Sequence, residues 1–132
     1  MTLGMAALFA GGLSAQDHDA MVARGKYLVE GVAMCQDCHT PKLESGEADT
    51  TKWLKGGMLT IAPTTERPGW HKAAPDLTST SRLFARWGDE GLTNFLMTGK
   101  NPRGGSAGPP MPQYRMSQED AAAVVAYLKT LP

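Results

Sequence analysis

The chain has 132 residues, with 13 lysines and arginines balanced by 13 aspartates and glutamates. That length gives a single domain with room for a core, and zero formal charge leaves neither nucleic acid nor an anionic membrane as an evident partner. With only two cysteines, a disulfide-rich scaffold and a four-cysteine metal site are both excluded.

In chain order, Met1 to Ala15 carries no charge, and its apolar stretch through Leu8, Phe9, Ala10 and Leu13 is too short to span a bilayer comfortably. With the small Ala15 ahead of Gln16, residues 1–15 read as a secretory signal peptide and 16–132 as the domain; an uncleaved membrane anchor is the alternative. Asp17 to Met34 reads as the first helix, capped by Asp17 or Asp19, with Met21, Leu28 and Val32 on one side. Gly25 inside it costs about 1 kcal/mol against alanine, which predicts a close helix crossing there.

Next comes Cys35-Gln36-Asp37-Cys38-His39. C-x-x-C-H is the attachment signature of c-type haem. Two thiols must reach the two vinyl groups of one haem, and a short turn brings both to the same porphyrin edge. His39 then sits under the iron and offers it a ring nitrogen. A zinc site needs four ligands, but His18 and His71 are isolated in the sequence. A thioredoxin-type pair needs a βαβ pattern that is not seen. A disulfide across two residues would be strained and leaves His39 unexplained.

Residues 41–74 hold many turn formers, Pro41, Gly46, Gly56-Gly57, Pro63 and Pro68-Gly69, and read as loop with one short strand, Met58 to Ile61. Trp53 and Trp70 are expected to pack this lobe onto the haem or the core. Residues 79–86 read as a short helix with Leu83 and Phe84 inward, and Asp89 to Thr98 as a helix ended by Gly99. In the Gly/Pro loop over 99–115, Pro109-Pro110-Met111-Pro112 clamps one methionine. Proline fixes φ and removes backbone donors, so the loop is stiff. A stiff loop suits a weak, soft ligand held over iron, and a thioether favours the ferrous state and raises the potential. Among the eight methionines, Met5 lies in the leader, and Met21, Met34, Met58, Met97 and Met116 read as packing residues. Met97 is the main competitor for the ligand role. Ser117 to Asp120 resembles a capping box with Asp120 in the glutamate's role. Val124, Val125, Leu128 and Leu131 give the last helix its apolar side.

These motifs together resemble those of single-haem class I cytochromes c over residues 20–132, and most of all the bacterial cytochrome c subunits and domains that serve periplasmic dehydrogenases. Gly25-Lys26-Tyr27-Leu28-Val29 resembles the family's first helix, and Ala121 to Leu131 its last, with Tyr127 at the aromatic position. Ala74-Pro75-Asp76-Leu77 resembles the short proline–leucine element. There the resemblance implies that the Pro75 carbonyl accepts the His39 ring N–H and that Leu77 packs on the haem. Trp87-Gly88-Asp89-Glu90 with Leu92 resembles the tryptophan-led helix, which implies an indole N–H to a haem propionate. The implied fold is all-α: three to five helices around one covalently attached haem c, bound by Cys35, Cys38, His39, Pro75, Leu77, Trp87 and Met111, with His39 and Met111 on the iron. Two departures stand out. The run from His39 to Pro75 takes 36 positions, which makes 41–74 a long insertion, and two extra residues separate Gly25 from Cys35 relative to the mitochondrial spacing.

The implied function is periplasmic one-electron transfer, free or as the electron-accepting subunit of a dehydrogenase, and not catalysis. Its expected partners are redox proteins, a dehydrogenase donor and an oxidase or other cytochrome acceptor, with membrane association only through an uncleaved N-terminus or a complex. Lys52, Lys55, Arg67, Lys72, Lys100 and Arg103 are either an ordinary solvated surface or part of a docking rim. The rivals are a haem enzyme or gas-binding sensor with an open sixth iron position, and a purely structural module. The absence of a second haem motif argues against a di-haem peroxidase. The mature protein is expected to exceed its polypeptide mass by one haem, and acid–acetone should leave that haem on the chain; haem that extracts freely would contradict the motif.

Overall fold

Ser14 starts the first helix. In the computed structural model, which describes Gly12 and residues 14–132, α1 runs Ala15–Tyr27. The Ser14 hydroxyl accepts from the Asp17 amide, and the Asp17 carboxylate accepts from the Ser14 amide. This reciprocal pairing satisfies two of the amides that a helix start leaves open. Neither Asp17 nor Asp19 is the cap: Asp17 closes the box three residues after Ser14 opens it. Apart from Gly12, Ser14 and Ala15, the expected leader lies outside the described residues.

After Tyr27 the helix widens into a π-turn over Leu28–Val32. An i→i+5 turn absorbs an extra residue and changes which side chains face the core. Leu28 and Val29 are both buried, whereas Val32 is 56% exposed. Val32 therefore does not share the inward side expected for it, and Val29 is buried beside Leu28 instead. The widened turn also takes up part of the longer run to Cys35.

α2, Gln36–His39, is a single turn, and α3 spans Arg82–Thr98 with a break at Gly88, where φ is 63° and ψ 179°. The break separates the two helices read in the sequence. Ser81 caps the first, its hydroxyl accepting from Phe84 N at 3.2 Å, and Gly99 ends the second in the left-handed conformation at φ 73°. α4, Gln118–Leu128, is capped by Ser117. Its box is only half formed, because the Asp120 carboxylate turns to Arg24 of α1 at 2.9 and 3.2 Å. That pair is largely solvated and contributes little.

α1 crosses α4 at Gly25, and α3 packs on the other side of α4. The core joins Leu28, Val29, Phe84, Leu92, Leu96 and the inner side of α4, Ala121, Val124, Val125 and Leu128. Met21, Met97 and Met116 are partly buried against it, as packing residues. Met34 and Met58 are 50% and 70% exposed and do not fill gaps in the core. Beside the helices, residues 41–74 form a lobe closed by a two-stranded antiparallel pair, β1 (Gly57–Met58) with β2 (Ala73–Ala74), in the register Gly57 opposite Ala74 and Met58 opposite Ala73. The strand expected over Met58 to Ile61 is thus shorter and starts one residue earlier. Trp53 packs partly buried against the core. On the far side of the α1–α4 crossing, His18 and Met21 share one shallow groove with Lys129 and Thr130.

Gly25 sets how close α1 and α4 come. A Cβ there would lie 1.9 Å from the Ala123 carbonyl oxygen and 2.8 Å from the Tyr127 Cβ. Backbone cannot yield as a flexible side chain does, so Gly25→Ala should destabilise by at least the roughly 1–3 kcal/mol typical of overpacking. Gly31→Ala, at a glycine of the same helical run whose Cβ would make only ordinary contact with the Tyr27 ring at 3.4 Å, serves as the control; equal loss in guanidine unfolding would show that the crossing is not tight.

Candidate functional site

The chain turns into α2 through Met34, which takes a left-handed φ of 51°. Cys38 N donates to Cys35 O at 3.3 Å and His39 N to the same oxygen at 2.8 Å. Residues three and four apart on a helical turn share one side, so both free thiols and the His39 ring leave α2 in neighbouring directions. His39 is 5% exposed, and its Nδ1 lies 2.8 Å from the Pro75 carbonyl oxygen. Burial pushes the imidazole below its ordinary pKa, and the Pro75 carbonyl opposes this in part. The ring is therefore neutral at pH 7, with Nδ1–H donating and the lone pair of Nε2 left for a metal. A ligand histidine held this way is fixed in orientation and made more basic.

The base of the 41–74 lobe holds Pro75 in place. The Thr40 hydroxyl, on a fully buried side chain, accepts from Leu54 N at 2.9 Å. Leu54 adopts φ 57°, a conformation that costs a non-glycine residue on the order of 1–3 kcal/mol. The chain then doubles back: Gly56 N donates to His39 O at 2.6 Å and Leu77 N to Leu54 O at 2.9 Å. Gly56 passes so near the proline element that a Cβ would lie 2.6 Å from Ala74 O and 2.7 Å from the Pro75 carbonyl carbon. Asp76 locks the following turn, its Oδ1 accepting from both Thr78 N and the Thr78 hydroxyl at 2.7 Å. Leu77 is partly buried against the core.

Met111 lies in the Gly/Pro loop and lines a cavity of about 460 Å³ together with Trp70, Arg67 and Gln113. The loop is tied down from outside. His71 N donates to Pro109 O at 2.8 Å, Met116 N to Leu96 O at 3.1 Å, and the Tyr114 hydroxyl to Ala33 O at 3.2 Å. Burial, with the Cys35 and Cys38 thiols nearby, pushes the Tyr114 phenol up to about 12, and burial likewise pushes the Cys35 thiol up to about 11. Tyr114 thus brings the methionine loop to the thiols. The sequence reading does not single it out, although an aromatic three residues beyond the ligand candidate is a signal. A second unread link sits behind the thiols: the Tyr127 hydroxyl donates to Glu30 of the π-turn at 2.5 Å. Burial first, and then that carboxylate, push Tyr127 up to about 12.

The structure therefore brings Cys35, Cys38, His39 and Pro75 together, and joins the Met111 loop to them through Tyr114 and His71. Trp87 lies on α3, one residue before the break at Gly88. It stacks on Phe95 of α3, ring centroids 5.2 Å apart and tilted by 59°, half-buried against the core. A donor set of neutral imidazole, thioether and two thiols on one turn suits a c-type haem. Between the two cysteines, Gln36 donates from Nε2 to Glu30 O at 3.0 Å, and its Oε1 is buried without a partner among the described residues.

The cytochrome c family model matches residues 22–132. The chain belongs to the cytochrome c family. Its similarity to a diheme cytochrome c-type protein of Cereibacter sphaeroides is 34% identity over 114 residues, 83% of this chain and 35% of that protein. It is 30% identical to the fructose dehydrogenase cytochrome subunit of Gluconobacter japonicus over 83% of this chain and 22% of that one. It is 30% identical to the gluconate 2-dehydrogenase cytochrome c subunit of Pantoea cypripedii over 89% of this chain and 27% of that one. The chain thus spans about a third or less of the length of these relatives. As a cytochrome c of the class I fold it is an electron-transfer domain that is not itself catalytic, and its family's cofactor is haem c.

Gly56 is the point at which the Pro75–His39 bond is most exposed to mutation. Gly56→Ala should push Pro75 away from His39, lower stability by about 1–3 kcal/mol, and raise the midpoint potential, because a less basic imidazole stabilises ferric iron less well. Potentiometric titration checks this; an unchanged potential alongside lost stability would mean that the Pro75 carbonyl does not tune His39.

Proposed function

We propose that this domain carries one electron on a single haem bound through Cys35 and Cys38, with His39 and Met111 as the axial ligands. The observation that carries the reading is the buried, neutral His39, whose Nδ1 is committed to Pro75 O at 2.8 Å while two free thiols leave the same turn. Haem iron held there supplies a reversible ferric–ferrous couple. Cys35 and Cys38 anchor the porphyrin edge. Pro75 fixes the histidine tautomer, and Leu77 packs beside the cofactor. Trp87 offers its indole N–H to a propionate. Met111 closes the sixth position, so no substrate reaches the metal, and fixed ligands in a dry site keep reorganisation small.

The same reading extends to partners and place. The domain passes electrons from a dehydrogenase donor to an oxidase or another cytochrome, through the porphyrin edge beside the thioethers. The dehydrogenase assignments carried by the relatives in Gluconobacter japonicus and Pantoea cypripedii support a donor of that class. The uncharged leader supports export to the periplasm, where bacterial haem attachment takes place. Among the described residues no helix is long and apolar enough to cross a membrane.

Substitution of the ligands tests the assignment. His39→Ala should abolish stable low-spin haem, while His18→Ala and His71→Ala keep it. Met111→Ala should open the iron: the far-red sulfur–iron band disappears, carbon monoxide binds, and the potential falls with loss of the soft ligand. Met97→Ala should cost on the order of 2 kcal/mol, the low end for a core methionine because the side chain is only half-buried, and leave the spectrum alone. A spectrum altered by Met97→Ala and untouched by Met111→Ala would move the ligand. No change from either would favour an enzyme or sensor with an open iron.

A further inference from the structure

The loop around Met111 is poor in donors of its own. Pro109, Pro110 and Pro112 have no N–H, so an outside group must hold its middle. That group is the end of the 41–74 lobe. His71 N–H reaches Pro109 O at 2.8 Å. The His71 ring lies over Gly108, where a Cβ would stand 3.1 Å from Nε2 and 3.2 Å from Cδ2, and 3.3 Å from the Gly69 carbonyl. Trp70 lines the Met111 cavity. The same short run is fixed at its other end. Lys72 O accepts from Leu59 N at 2.8 Å, β2 pairs with β1, and Pro75 O takes the His39 proton. Five residues, 71–75, thus connect the contact under Pro109 with the acceptor of the proximal histidine.

We infer that residues 69–72 are a positioning strap for Met111: by clamping Gly108 and Pro109 they hold the thioether over the iron. The inference rests on the proposed ligation by Met111. A thioether is a weak ligand, so the fraction of molecules in which it has left the iron depends on how firmly its loop is held. The strap lowers that fraction without itself touching the metal.

The holo-protein tests this through imidazole binding to the ferric state. Imidazole enters only where methionine has left, so its apparent affinity scales with the open fraction. In Gly108→Ala the new methyl meets the His71 ring, and the affinity for imidazole should rise about tenfold. Gly104→Ala is the control. It has a φ of +82°, close to the +77° of Gly108, and lies in the same loop, but its Cβ would meet nothing within 4 Å; it should stay within about twofold of the parent. Removing the ring in Gly108→Ala/His71→Ala, with the 71 amide kept, should bring the affinity back to the Gly104→Ala level. If Gly108→Ala does not mature, His71→Pro, which removes the ring and the amide donor together, is read against His71→Ala, which removes the ring alone; only His71→Pro should give the rise. Equal affinities for Gly108→Ala and Gly104→Ala, no recovery in the double variant, or an unaltered His71→Pro would each overturn the strap. Met111→Ala keeps the two ideas apart: if it leaves the iron's sixth ligand unchanged, the ligation reading fails, whereas a changed Met111→Ala beside a silent Gly108→Ala refutes the strap alone.

Discussion

The contact between Gly25 and the Ala123–Tyr127 turn governs where nearly everything else in the molecule can lie. Two helices that meet backbone to backbone have no freedom to slide or roll, and close packing transmits that rigidity. From this crossing, α1 runs into the π-turn that buries Leu28 and Val29 and delivers the chain to Cys35. α4 presents Tyr127 to Glu30 on the same turn, so the thiols start from a segment fixed by both terminal helices. α3 then packs on the remaining side of α4 and anchors the exit of the methionine loop through Leu96.

The lobe between His39 and Pro75 does more than bridge a gap. Its base is built from close backbone approaches: Leu54 and Gly56 at positive φ, a buried Thr40 hydroxyl, and a two-residue strand pair. Strain at Leu54 is tolerated because surrounding hydrogen bonds determine the conformation, the situation in which strained backbone persists near functional sites. An imidazole whose orientation and proton are both set by such a frame reorganises little when the charge on a bound metal changes. That is what an electron carrier requires of its protein.

Much of this was legible in the sequence, and the limits have physical causes. C-x-x-C-H and its histidine were readable because covalent chemistry imposes spacing. Gly25 was readable because a glycine inside a helix costs stability that only a close contact repays. The break at Gly88, the cap at Gly99 and the acceptor role of Pro75 followed from local chemistry or family likeness. The misread features depend on tertiary context. Ser14 was hidden inside what reads as a leader. The π-turn alters the register after Tyr27 with no local signature, which puts Val32 on the outside. Asp120 leaves its own helix cap because Arg24 from another helix is in reach. Leu54 at φ 57° could not be read at all, since nothing in a leucine announces it.

The shallow groove shared by His18 and Met21 with Lys129 and Thr130 places the beginning of α1 and the end of α4 along one side of the molecule. The thiols lie beyond the other end of α1, past the crossing. The end of the chain beyond α4 is itself tied to the lobe: Leu131 O accepts from Ser79 N at 3.1 Å and from the Ser79 hydroxyl at 2.7 Å, and Pro132 O accepts from Lys55. A side chain enlarged in the groove would therefore press on both terminal helices at once and, through the end of α4, on the lobe that holds Pro75.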